Sequence, residues 1–149
     1  MPPLPEALAE ARRFELDISA HRARPLHGED LSGTDLVVGF ERIHIATAVV
    51  EANAPRERSF TLPELVELLD GLERLGGGDP IARARRTVAL AAEARRSREV
   101  KPILPEIPDP WGGEPELYRR TGESVIELSR VLAEHLLGIT ASPAAAGRG

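Results

Sequence analysis

The segment DLVVGF, residues 35–40, constrains the fold of this chain more than any other stretch. It is a short apolar run with β-branched residues at its centre, typical of a strand buried on both faces of a parallel sheet. Such an interior strand needs a neighbour on each side, yet only RERSFTL, residues 56–62, offers a second strand. Because two parallel strands alone form a marginal sheet, the sequence predicts an α/β fold in which part of the sheet is missing.

Five helices are predicted around these strands. Thr61 stands just before Leu-Pro and Asp79 just before Pro, and both arrangements are typical of a helix N-terminus. Apolar residues at helical spacing support helices at residues 4–13, 41–54, 61–75, 79–98 and 114–137. Residues 99–113 are expected to be extended and residues 138–149 to be a disordered tail, so that residues 1–137 form one helix-rich domain.

Charge and residue usage exclude several classes of protein. The net charge of the 149 residues is −5, which argues against nucleic-acid binding because that function needs a basic surface. The sequence has no cysteine, so disulfides, thiolate metal sites and cysteine nucleophiles are excluded. Its four histidines lack metal-ligand spacing, and we predict neither a metal nor a cofactor. Without a signal-peptide pattern or an apolar run of about 18 residues, we expect a cytoplasmic protein that binds no membrane.

The segment EIPDPWGGEPELY, residues 106–118, places the single tryptophan between Asp-Pro and Gly-Gly. One interpretation is a turn ahead of a helix, because proline fixes φ, glycine permits positive φ and glutamate suits a helix N-terminus. The other interpretation is a loop that holds the carboxyl of Asp109 beside the ring of Trp111. Composition alone does not decide between these two interpretations.

Four blocks, taken in order, resemble the low-molecular-weight protein tyrosine phosphatase family: FELDISAHRARPL, GTDLVVGFERIH, FTLPELVELLD and IPDPWGG followed by Tyr118. The blocks span about residues 5–137, and their order and spacing are more specific than any block alone. The resemblance implies a three-layer fold, with helices on both faces of a parallel sheet. It also implies that Asp109 is the general acid, that Trp111 lines the rim of the substrate pocket and that His21 helps to orient the phosphate loop.

The sequence departs from the family at the catalytic nucleophile. Family members begin with a strand that leads into a Cys-x5-Arg loop, whose cysteine attacks phosphorus and whose amides and arginine hold the phosphate. Nothing in this sequence matches that strand and loop, the first helix or the second strand, so the phosphatase-like domain is expected to be N-terminally incomplete and inactive as written. The cause would be a real truncation or a misassigned start. With the segment restored, a phosphorylated protein or a small phosphoester is the expected substrate.

Three functions remain open on the sequence alone. The first is the incomplete phosphatase-family domain. The second is a non-catalytic interaction module on the same scaffold, which would need a partner or a second copy to cover an open sheet edge. The third is arsenate reduction on the same fold, against which the absence of thiols argues.

The helix at residues 79–98 is rich in arginine, and an anionic partner is one interpretation of that pattern. We favour a solvated helix face, because the charges point in several directions around the helix. The arginines concerned are Arg83, Arg85, Arg86, Arg95, Arg96 and Arg98.

Overall fold

The computed structural model describes residues 1–98 and 105–138, and within them the chain forms five α-helices and a two-stranded parallel sheet. In chain order the elements are α1 Pro5–Arg13, β1 Val37–Gly39, α2 Arg42–Glu51, β2 Ser59–Thr61, α3 Leu62–Asp70, α4 Pro80–Ser97 and α5 Pro115–Leu137. One turn of 3₁₀-helix, Arg56–Arg58, leads directly into β2. The predicted mixed α/β character is confirmed at this level.

The two strands separate α2 from the other packed helices. Val38 pairs with Phe60 in the parallel register, and Phe60 belongs to the core formed with α3 and α4. Gly39 points to the opposite face, because side chains alternate along a strand. A Cβ on Gly39 would lie 2.9 Å from Cβ of His44 and 3.0 Å from Cδ1 of Ile45, both on α2. The sheet therefore lies between α2 on one face and α3 and α4 on the other.

The core lies on the face of the sheet that Phe60 occupies. Half-buried side chains pack around it from α4, from α5, from Leu36 just before β1 and from Leu72 just after α3, while α1 packs against α5. The buried members of the core are Phe60, Leu65, Leu68, Leu69, Val88, Ala91 and Ala92.

The capping residues in the sequence predicted the helix starts correctly. The hydroxyl of Thr61 accepts the backbone N–H of Glu64 at 3.3 Å, and the Asp79 carboxylate accepts that of Ala82 at 2.7 Å. The other predicted ends lie within three residues of those observed, but α3 ends at Asp70 rather than at residue 75. Gly71 follows it, and glycine in a helix interior costs about 1 kcal/mol relative to alanine.

Both strands are shorter than predicted. The residues expected to start β2 form the 3₁₀ turn instead, with the N–H of Arg58 donating to the carbonyl of Pro55. The expectation that the first strand is buried on both faces is wrong. The side chains of Val38 and Phe40 are 39% and 42% exposed, because within residues 1–98 and 105–138 no strand other than β2 pairs with β1.

The most deeply buried residues of the last helix are not those of its apolar stripe, which consists of Leu117, Val125, Leu128, Leu132 and Leu136. Tyr118 and His135 are its buried residues, whereas Leu132 and Leu136 are half-buried and pack against the core. The predicted tail, beyond Gly138, lies outside the described residues, as does the first part of the predicted extended segment, residues 99–104.

Candidate functional site

The segment from Pro105 to Asp109 is attached at the carboxyl end of the parallel sheet. The N–H of Ile107 donates to the carbonyl of Phe40, the residue after β1, at 2.9 Å. The hydroxyl of Thr61, the last residue of β2, donates to the carbonyl of Pro105 at 2.9 Å. Because the Ile107 side chain is buried as well, backbone and side-chain contacts hold this segment against both strand ends.

Two consecutive turns shape the loop around Asp109. Oδ1 of Asp109 accepts the backbone N–H of Trp111 at 3.0 Å, and the N–H of Gly113 donates to the carbonyl of Pro110 at 2.9 Å. Gly112 has a φ of 73°, the conformation that the third residue of a type II turn requires. Both Asp109 and Trp111 are exposed, and 75% of the surface of Trp111 is accessible to solvent. The turn interpretation therefore describes the local structure, and the carboxyl remains accessible to solvent.

An ion pair joins the same loop to the start of α2. Oε1 of Glu106 accepts the backbone N–H of Arg42 at 2.7 Å and its Nε–H at 2.9 Å. These two hydrogen bonds, the backbone one first, lower the pKa of Glu106 below its usual range. Glu106 therefore stays ionised and holds the loop near neutral pH, a role that the sequence pattern did not indicate.

Two cavities border this ion pair. An open groove of about 460 Å³ is lined by Glu41, Arg42, Ile43, Ala46 and Glu106. A second cavity, of about 260 Å³, has mostly apolar walls from α2 and is lined by Arg42, Ile45, Ala46, Val49, Val50, Arg56, Thr61 and Glu64. Neither Asp109 nor Trp111 lines these two cavities, so the carboxyl of Asp109 lies outside both.

His21 lies in the segment between α1 and β1. Its side chain is exposed, its backbone N–H donates to the carbonyl of Ile18, and its own carbonyl accepts Nη1 of Arg22. Within the part of the chain that the structure describes, no hydrogen bond or ion pair joins His21 to Asp109 or Trp111. The structure thus brings Asp109 and Trp111 together in one loop and gives His21 no polar contact with them.

The interpretation of the α4 arginines as a solvated face is wrong for Arg95. Its side chain is only 19% exposed, and its guanidinium donates to the carbonyls of Ser59 and Arg56 at 2.9 and 2.7 Å. It lies 3.7 Å from the buried carboxylate of Glu64. Because its partners precede it by 31 to 39 residues, helical periodicity gave no signal for this contact.

Across residues 1–98 and 105–138, no group of three His, Asp or Glu side chains is arranged to hold a metal ion. No helix in that same part of the chain combines the length and the apolar character needed to cross a membrane.

Comparisons with known proteins were made at the level of family models, curated sequences and solved structures. None of the three gave a match.

Proposed function

We propose that this chain is a domain of the low-molecular-weight protein tyrosine phosphatase family that carries the general-acid loop without the nucleophile loop. In this proposal the domain adopts the family's three-layer fold, works in the cytoplasm and hydrolyses no phosphate ester in its present form. The observation that carries the proposal is the attachment of the Asp109 loop to the carboxyl end of the sheet, through the N–H of Ile107 and the carbonyl of Phe40.

The position of the loop suits a catalytic acid. In open parallel sheets, ligands bind in the crevice beyond the carboxyl ends of the strands. Asp109 follows Ile107 by two residues and is exposed, so its carboxyl can reach a leaving group bound in front of β1. Trp111 would line the rim of that crevice, and His21 would support a phosphate loop once one is present.

The chain lacks what phosphoryl transfer needs most. That reaction depends mainly on holding the transferred group and on stabilising its charge, and in this family it also needs a cysteine nucleophile. The sequence has no cysteine. An acid contributes about 10²- to 10⁴-fold in rate, but only where the rest of the site is present. A phosphorylated protein or a small phosphoester would become a substrate when a strand and Cys-x5-Arg loop lie beside β1.

Hydrolysis of p-nitrophenyl phosphate tests the proposal. We expect the purified chain to match the rate in buffer. We expect a fusion that adds the first strand, a Cys-x5-Arg loop, the first helix and the second strand ahead of Met1 to hydrolyse the ester. The same fusion with Ser in place of its nucleophile is the control. Turnover by the unfused chain that is lost in Asp109→Ala, or a well-folded fusion with no activity, would contradict the proposal.

A non-catalytic interaction module is the second candidate, and the exposure of Val38 and Phe40 favours it. The fusion separates the two functions, because an interaction module that has lost the catalytic geometry would gain no hydrolysis from the added segment.

A further inference from the structure

The cavity of about 260 Å³ is bordered by α2, the 3₁₀ turn and the start of α3. Its apolar wall belongs to α2, where Ile45 and Val49 lie about one turn apart and Val50 is 79% exposed. Three charged residues also line it, namely Arg42, Arg56 and Glu64. Sites for small molecules combine apolar walls with a few polar groups in this way.

The carboxylate of Glu64 lines this cavity without a hydrogen-bond donor. Its side chain is 7% exposed, and Nη1 of Arg95 lies 3.7 Å from Oε2, which is beyond hydrogen-bond distance. Within residues 1–98 and 105–138, no group donates a hydrogen bond to either carboxylate oxygen. A buried acceptor that lacks a donor costs free energy, so a donor on a ligand in the cavity would be stabilised there.

Arg56 provides the opposite charge close to Glu64. It is exposed, and no carboxylate in the described part of the chain pairs with it. Its Nη1 donates to the carbonyl of Ser59 at 3.3 Å, and the same carbonyl accepts Nη1 of Arg95 at 2.9 Å. That Nη1 of Arg95 is the atom that lies 3.7 Å from Glu64. These three contacts bring the Arg56 cation and the Glu64 anion to one end of the cavity without pairing them.

The remaining cation of the cavity already has an anion. Arg42 donates two hydrogen bonds to Glu106, one from its backbone N–H and one from Nε. Arg56 is therefore the cation, and Glu64 the acceptor, that a ligand would engage. A simple anion in the cavity would be repelled by Glu64, and a simple cation would be repelled by Arg56. A zwitterion avoids both repulsions.

We propose that this cavity binds a free α-amino acid with a branched apolar side chain, of the leucine class. The ammonium group donates to Glu64, the carboxylate accepts from Arg56, and the side chain lies against Ile45 and Val49. An α-amino acid carries both charges on one carbon, which fits two opposite charges at one end of the cavity. At about 260 Å³ the cavity lies just below the range for drug-sized ligands, so it suits a smaller molecule. The proposal does not depend on the proposed phosphatase relationship.

Titration of the intact chain with L-leucine, followed through the methyl resonances of Ile45 and Val49, tests the proposal. We expect a Kd between about 10 μM and 1 mM for so small a ligand. Two analogues each remove one charge, since isocaproate lacks the ammonium group and isoamylamine lacks the carboxylate. Each analogue should bind at least about tenfold more weakly, because it leaves one charged group of the cavity without its partner.

Variants of the two charged residues assign their roles. Arg56→Gln and Glu64→Gln should each weaken L-leucine binding at least about tenfold. Circular dichroism checks the folding of Glu64→Gln, since Glu64 also pairs with Arg95, and the exposed Arg56 gives a test that does not disturb that pair. Arg58→Gln is the matched control and should keep the affinity, because Arg58 lies in the same 3₁₀ turn but lines a different cavity.

Three results would overturn the proposal. The first is the absence of any shift at Ile45 and Val49 in about 10 mM L-leucine, which is tenfold above the weakest expected Kd. The second is equal affinity for L-leucine and for either analogue, because one of the two charges would then play no part. The third is an equal loss of affinity in Arg56→Gln and Arg58→Gln, because the effect would then belong to the net charge of the turn.

Discussion

The guanidinium carbon of Arg95 lies 4.1 Å from the centroid of the Phe60 ring, so a cation on α4 covers the central aromatic side chain of the core. The same guanidinium also donates to the carbonyls of Arg56 and Ser59, which lie in the 3₁₀ turn and at the start of β2. Burial lowers the pKa of Arg95, and a guanidinium stays charged near neutral pH even so. Arg95 therefore ties α4 to the sheet through charge, hydrogen bonds and ring contact together.

Replacing Arg95 should destabilise the domain strongly. Arg95→Ala removes both backbone hydrogen bonds and leaves the buried carboxylate of Glu64 without its cation. Breaking a buried ion pair costs about 3–5 kcal/mol, and we expect a loss near the lower end because the two charged groups are 3.7 Å apart. Arg96→Ala, at the exposed next position, should change stability by less than about 0.5 kcal/mol. Urea unfolding measures both variants, and equal effects would contradict this role.

His135 should make stability depend on pH. Its side chain is 6% exposed, and burial, followed by the nearby charge of Arg74, lowers its pKa from the ordinary value of 6.5, while Glu134 and Asp70 act in the opposite direction. The unfolded chain therefore binds a proton at higher pH than the folded chain does. Stability should fall as the pH drops through about 6.5 and level off below the folded-state pKa.

Denaturant unfolding between pH 5 and 8 measures this effect. His135→Gln should flatten the slope, whereas His27→Gln, at an exposed loop position, is the matched control and should retain it. A slope that survives in His135→Gln would assign the pH dependence to other groups.

Gly39 should tolerate no side chain. A Cβ at this position would lie 2.9 Å from Cβ of His44, on the first turn of α2. Overpacking of this kind costs about 1–3 kcal/mol, so Gly39→Ala should lower the free energy of unfolding by that amount. Gly76→Ala is the control, because a Cβ there meets nothing within 4 Å. Thermal unfolding that ranks the two variants equally would show that α2 moves freely away from β1.

What the sequence predicted well was determined by neighbouring residues. The helix starts at Thr61 and Asp79 follow from a side-chain oxygen that caps an N–H three residues later, and a pattern of four residues contains that whole interaction. The turn at Asp109 is equally local, since its carboxylate accepts an N–H two residues on. Such features can be predicted wherever the backbone groups and their partner lie within one turn.

What the sequence did not predict depends on contacts between distant segments. The exposure of Val38 reflects which strands pair with β1, and apolar composition carries no information about that. The position of the Asp109 loop depends on the hydrogen bond between Ile107 and Phe40, which are 67 residues apart in sequence. Arg95 was assigned to solvent because the arginines of its helix point in several directions, but the carbonyls that accept its hydrogen bonds belong to other elements.

In the fusion that carries a Cys-x5-Arg loop, Asp109→Asn should distinguish the role of Asp109 as proton donor from its role in shaping the turn. Asparagine keeps an oxygen that can accept the N–H of Trp111, so the loop should hold its shape while losing its proton donor. A general acid contributes about 10²- to 10⁴-fold when the leaving group is poor. We therefore expect a loss of that size on phosphotyrosine and a smaller one on p-nitrophenyl phosphate, whose leaving group departs without a proton.

Three results of that comparison have distinct meanings. A large loss confined to phosphotyrosine in both Asp109→Asn and Asp109→Ala assigns the proton to Asp109. If Asp109→Asn keeps full activity and Asp109→Ala loses it, the role of Asp109 is to hold the turn and not to donate a proton. The reason is that asparagine can keep the hydrogen bond from the N–H of Trp111, whereas alanine cannot. Equal losses on both substrates in both variants contradict an acid role, since the protonation of a leaving group matters in proportion to its basicity.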